Sequence, residues 1–110
     1  MAKGKTELLA GTLDLIVLRL LQGGPANGWE LTQRIQLLSR DALQVKEGSL
    51  YPALYRLEAK EWITAEWGAS ENNRRAKYYT LTAAGRKQLA TEQETWKRFA
   101  AALELILRSA

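Results

Sequence analysis

Gly48-Ser49-Leu50-Tyr51-Pro52-Ala53-Leu54-Tyr55-Arg56-Leu57-Glu58 is the stretch from which the fold can be read. Leu50, Leu54 and Leu57 fall at i, i+4 and i+7, one stripe of an α-helix, so the segment has a side to bury. The other side holds Ser49, Tyr51, Pro52, Tyr55 and Arg56. A face meant only for water usually carries lysine and glutamate. Two phenols, a hydroxyl and a guanidinium are instead groups that bond phosphates and base edges. Pro52 lacks an N–H and suits a first turn, which makes Ser49 the expected N-cap, accepting from the Tyr51 N–H. The positive end of the helix dipole then points the same way as Tyr51 and Pro52. A core helix with an aromatic outer face explains the segment equally well, so the neighbouring chain has to decide.

Upstream, Leu31, Ile35 and Leu38 repeat the same spacing with Gln33, Arg34 and Gln36 between them, which predicts a helix from about Asn27 to Ser39-Arg40. Leu43-Gln44-Val45 reads as a very short strand. Two amphipathic helices joined by a turn, the second with a polar-aromatic face, form the helix-turn-helix arrangement. Before them, residues 8–21 predict a helix apolar nearly all round. Leu13, Ile16, Val17, Leu20 and Leu21 make one stripe, and Leu15 and Leu18 add surface on another side. Such a helix needs cover on two sides, and a second subunit is the expected source of one of them. Gly23-Gly24-Pro25 ends it as a turn, with nothing to support a phosphate loop.

Downstream the period changes to two. Ile63, Ala65 and Trp67 share one side of a strand, and Gly68 to Arg74 has turn composition. Arg75 to Thr82 is rich in β-formers, so a hairpin with a loop of six or seven residues is expected. Asn72, Asn73, Arg74 and Arg75 occupy its tip. Residues 69–88 hold five basic side chains and one acidic, a surplus equal to the +4 of the whole chain. Charge at a hairpin tip is usually just solvated. This hairpin directly follows the proposed reading helix, both are expected on one side, and localised positive charge implies an anionic partner, so contact with a phosphate backbone is expected.

Thr82 is the expected N-cap of a last helix over 83–108. Leu89, Trp96 and Leu103 are seven apart, Phe99 and Ile106 lie between them, and Ala100 and Leu107 widen the strip. The strip has no obvious partner within the chain. A homodimer covers both surpluses at once, with Leu13, Val17, Leu89, Trp96, Phe99, Leu103, Ile106 and Leu107 in its interface. At ~25 cal/mol per Å² the strip amounts to several kcal/mol, against the alternative that the helix folds back on its own domain.

Composition removes other classes. The 110 residues suffice for one core and include neither cysteine nor histidine. General acid–base work, metal binding and activated nucleophiles lean on those side chains, so neither an enzyme nor a metal or other cofactor is expected. No apolar run reaches the ~18 residues that span a bilayer. Met1-Ala2-Lys3-Gly4-Lys5 is basic, but Asp14 and Arg19 interrupt the apolar residues after it, which makes a poor signal peptide. A cytoplasmic protein with no membrane partner is expected.

Four motifs in order carry a resemblance: Gly11-Thr12-Leu13-Asp14; Gly28-Trp29-Glu30-Leu31; Gly48 to Leu54 with Arg56-Leu57-Glu58; and Arg74 to Thr82 with Gly85-Arg86. From about residue 7 to 107 the chain resembles the PadR-like winged helix-turn-helix transcriptional regulators, more narrowly their short subfamily with one C-terminal helix. The resemblance implies a mainly α fold with a small β-hairpin. A winged helix-turn-helix DNA-binding domain would cover 1–82 and a long C-terminal dimerisation helix 83–110. It implies a repressor that binds double-stranded DNA as a homodimer on a palindromic operator. The third helix, Ser49 to Arg56, would enter the major groove. The wing, Asn72 to Lys77, would touch the backbone or minor groove, and the last helix would pack on the partner's first helix. Ser49, Tyr51, Pro52, Tyr55, Arg56, Asn72, Asn73, Arg74, Arg75 and Lys77 are then the expected DNA-binding residues.

Some relatives trap flat aromatic compounds between paired tryptophans, so a small aromatic effector at Trp96 is implied, with plain interface packing as the simpler use. A rival from another class is a protein-protein interaction module that uses the winged-helix surface. It calls for an acidic or apolar face, and Arg56 with the basic wing speaks against it. Two departures stand out. Many relatives have His-Gly-Tyr where this chain has Asn27-Gly28-Trp29, which rules out any histidine contact there. Many also have glycine where this chain has Glu61; a glutamate at positive φ is strained by ~1 kcal/mol, so a different helix end is expected.

Overall fold

The computed structural model describes residues 11–109. In chain order these form α1 (Thr12–Leu21), β1 (Ala26–Asn27), α2 (Gly28–Leu38), α3 (Glu47–Ala59), β2 (Ile63–Ala69), β3 (Arg75–Leu81) and α4 (Ala83–Arg108). Leu50, Ala53, Leu54 and Leu57 are the buried side of α3, as their spacing predicts. They meet Val17, Leu18 and Leu21 of α1, Leu31 and Ile35 of α2, Ile63 and Leu81 of the sheet, and Leu89 of α4 in one core. Leu8 and Leu9, read into the first helix, lie outside the described residues.

The start of α3 corrects the sequence reading. Its N-cap is Lys46, in extended conformation and without a side-chain bond, and Ser49 lies within the first turn. The N–H groups of Ser49 and Leu50 both donate to the Lys46 carbonyl at 3.0 Å. Pro52 therefore sits in the second turn and leaves the Gly48 carbonyl without its usual donor. Gly48 is exposed, so water can reach that group. Starting the helix at Glu47 gains a carboxylate at the positive end of the dipole.

The other end of α3 is also corrected: the helix closes as a glycine would close it, although Glu61 stands there. Glu61 adopts φ 62°. Its N–H donates to the Glu58 carbonyl at 2.9 Å, and the Trp62 N–H to that of Leu57 at 3.1 Å, the paired bonds of a Schellman cap. Neighbours offset the strain. The Thr82 hydroxyl donates to the Glu61 carbonyl at 2.8 Å. The Thr82 N–H donates to the Trp62 carbonyl at 3.0 Å. The same hydroxyl accepts from the Gly85 N–H at 2.9 Å, which makes Thr82 the N-cap of α4 as expected.

β2 and β3 pair antiparallel from Ile63↔Leu81 to Ala69↔Arg75. The hairpin loop is thus 70–74, shorter than expected, because β2 runs on through Gly68 and Ala69; Arg75 belongs to β3 and not to the tip. The third strand is β1, with Ala26↔Tyr79, giving the order β1-β3-β2. The strand expected at Leu43-Gln44-Val45 is irregular chain instead, and Val45 packs into the core from it.

Two interface expectations meet the same obstacle. Val17 is 0% and Leu89 1% exposed within the single chain, so neither has surface left for a second subunit. Leu18, read as lying on the spare side of α1, is likewise core. The first turns of α4 pack on the domain, but Trp96, Phe99, Leu103, Ile106 and Leu107 are between 40% and 69% exposed.

Gly85 is where α4 docks. A β-carbon there would lie 2.0 Å from the Trp62 carbonyl oxygen, a rigid backbone atom. Gly85→Ala is expected to lower stability by about 2–4 kcal/mol, measured as the urea midpoint of tryptophan fluorescence. A midpoint equal to wild type would mean that α4 does not leave the domain at this contact.

Candidate nucleic-acid interface

On α3, the polar side is the outer side. Ser49, Tyr51, Pro52, Tyr55 and Arg56 are all exposed, Tyr55 at 75%. Tyr51 is less free. A β-carbon on Gly28 would lie 2.5 Å from its hydroxyl oxygen, so its ring lies across the start of α2. Burial raises the Tyr51 pKa, and the Glu47 carboxylate adds to the shift. Tyr79 beneath it is raised by burial, then by Tyr51 and Glu58. Both phenols stay neutral through the physiological range and keep a hydrogen to donate.

Arg56 is held within the domain. Its Nη2 donates to Asp14 Oδ1 at 2.8 Å, with the guanidinium side chain half-exposed. The pair ties α1 to α3 and engages a charge expected to reach outward; half-exposed, it adds about 0–1 kcal/mol of stability.

The wing shares out its cations differently. Asn73 takes φ 59°, a conformation asparagine tolerates, at the head of the loop. The Asn73 N–H donates to the Ser70 carbonyl at 2.9 Å and the Ser70 N–H to the Arg74 carbonyl at 2.7 Å, so the tip is tightly bonded. Asn72, Asn73, Arg74 and Arg75 are exposed. Lys77 Nζ stands 3.8 Å from Glu58 Oε1, a loose pair between wing and α3. The Arg75 guanidinium lies 4.5 Å from the centre of the Trp67 ring. Among the described residues, Arg74 makes neither an ion pair nor an aromatic contact.

Between the wing and the starts of α2 and α3 lies an open groove of about 790 Å³, with Trp29, Tyr51, Trp67, Arg75 and Lys77 along it. The groove brings the N-terminal part of α3 and the wing to one surface. Arg56, toward the other end of α3, is turned to α1. Two groove residues escape the sequence reading: Trp29 is 58% and Trp67 56% exposed. Alternation puts Trp67 on the buried side of its strand, and only the hairpin register reveals what stands opposite it. Asn27 caps α2 reciprocally. Its side chain accepts from the Glu30 N–H at 2.8 Å, and its own N–H donates to Glu30 Oε1 at 3.0 Å.

A second concavity, about 460 Å³, lies between α1 and α4 and is lined by Leu15, Thr95, Trp96 and Phe99 among others. The Trp96 and Phe99 rings are tilted, with centroids 5.6 Å apart.

A helix pair whose second member offers a polar-aromatic face, joined to a hairpin closed onto a short third strand, defines a winged helix-turn-helix protein. Residues 17–91 match the family described as the Transcriptional regulator PadR-like family, and the chain belongs to that family. It is a winged-helix transcriptional regulator. An uncharacterized protein of Lysinibacillus sphaericus is 31% identical over 103 residues, 94% of each chain. Among solved structures, a transcriptional regulator from Clostridium thermocellum superposes with a TM-score of 0.79 at 29% identity, covering 86% of this chain and 92% of that one. A PadR-like transcription factor from Bacteroides fragilis superposes at 0.71 with 32% identity, covering 87% and 90%. Among the described residues, no helix is long and apolar enough to cross a membrane.

Proposed function

We propose that the chain is a sequence-specific DNA-binding repressor that acts as a homodimer on a palindromic operator. The observation that carries this reading is the sharing of one groove by Tyr51 and the wing cations, with Tyr55 exposed four residues along α3 and a tail helix whose apolar strip is uncovered. In this reading α3 enters the major groove with Ser49, Tyr51, Pro52 and Tyr55 foremost. Asn72, Asn73, Arg74, Arg75 and Lys77 track the phosphate backbone. Arg56 contributes less than its exposure suggests, because Asp14 competes with phosphate for it. Leu13, Trp96, Phe99, Leu103, Ile106 and Leu107 join two subunits, so that two copies of α3 stand about 34 Å apart, one turn of duplex. Occlusion of a promoter gives repression.

A small aromatic effector extends the same reading. A partner's α4 laid over Trp96 would close the cleft between α1 and α4 around a flat ring system. Quenching of tryptophan emission by planar cationic dyes is the expected sign, and silence across a panel would leave the cleft to subunit packing.

Affinity for short duplexes, titrated against salt, tests the DNA reading. Replacing Arg74 and Arg75 with glutamine is expected to flatten the slope of log K against log[salt] by about one unit for each phosphate that is no longer neutralised. An unchanged slope removes the wing from the mechanism. No binding to any duplex even at low salt overturns the reading in favour of a protein-protein interaction module.

A further inference from the structure

Trp67 shares a strand face with Ile63 and Ala65, yet it is 56% exposed where Ile63 is 1%. The core ends below it, so burial does not explain a tryptophan here. What covers the ring is charge. The hairpin register sets Trp67 opposite Lys77, and Arg75 is two residues further along the same side of β3. The Arg75 guanidinium carbon lies 4.5 Å from the ring centroid, inside the range of a cation–π contact. Lys77 Nζ stands at its outer limit, 6.0 Å from the ring of Trp67 and 6.0 Å from that of Tyr79.

An aromatic face and a carboxylate hold a cation with different consequences. Asp14 holds Arg56 by cancelling its charge. The Trp67 ring carries no net charge, so Arg75 stays fully positive toward solvent while giving up rotamer freedom that it would otherwise give up on binding. An arginine ordered in advance binds a phosphate at a smaller entropic cost.

We propose that Trp67 is a positioning residue for DNA binding, an aromatic platform that holds Arg75, and more weakly Lys77, extended along the groove toward the phosphates. The proposal rests on the DNA-binding reading above and adds to it a side chain that carries no charge.

The experiment is a double-mutant cycle on a short nonspecific duplex at low salt, with wild type, Trp67→Ala, Trp67→Phe, Arg75→Gln and the double variant Trp67→Ala/Arg75→Gln. Trp67→Ala is expected to weaken binding about threefold to fivefold. Trp67→Phe, which keeps an aromatic face, recovers much of that affinity. In the Arg75→Gln background the same Trp67→Ala change costs less than about 1.5-fold, since only the distant Lys77 remains to be positioned. Equal weakening in both backgrounds, or none in either, overturns the proposal while wild-type binding keeps the DNA reading intact. A Trp67→Phe variant as weak as Trp67→Ala also overturns it. Wild-type protein that binds no duplex overturns the DNA reading and the platform together.

Discussion

The backbone of Trp62 is the constraint on which the arrangement depends. Its N–H ends α3 by donating to Leu57, and its carbonyl accepts from Thr82 while lying against the α-carbon of Gly85. Three directions are set there at once: the end of α3, the base of the hairpin and the departure of α4. With the leucine stripe of α3 buried below, the outer face of that helix has one orientation relative to the wing. The closeness of Gly85 fixes the line along which α4 leaves the domain and hence where its apolar strip is offered. A glutamate held at φ 62° in this turn shows how strongly the surrounding bonds dictate its shape.

Around that frame the cations are held in graded ways. Arg56 is neutralised by Asp14 at 2.8 Å, and Lys77 is drawn loosely toward Glu58 at 3.8 Å. Arg75 is ordered on an uncharged ring, and Arg74 makes neither kind of contact among the described residues. The gradient runs from charge engaged inside the domain to charge left for a partner. The cations least engaged by carboxylates within the domain thus stand on the hairpin and not on α3.

Much of this is legible in the residues. The stripe of α3 is, because its helical period belongs to the segment alone, and so are the N-cap Thr82 and both long strands. What depends on partners is not. β1 is two residues whose only claim to be a strand is their pairing with β3, whereas Leu43 to Val45 has strand composition and no strand to pair with. Ser49 has the look of a cap because proline prefers a first turn, but the helix starts at Glu47, whose carboxylate meets the positive end of the dipole. Val17 and Leu89 continue apolar stripes that reach the surface elsewhere, and periodicity does not reveal where cover stops. Asp14 and Arg56 are 42 residues apart, and nothing local announces their pair. The exposure of Trp67 is hidden for the same kind of reason, since strict alternation says nothing about where the core ends along a strand.

The central claim is that two identical copies offer two reading surfaces to one duplex. Selection of bound sequences from a random duplex pool tests it most directly. The account predicts enrichment of an inverted repeat whose half-site centres lie about 10 base pairs apart. Enrichment of a lone asymmetric half-site, or no enrichment over the starting pool, would contradict it.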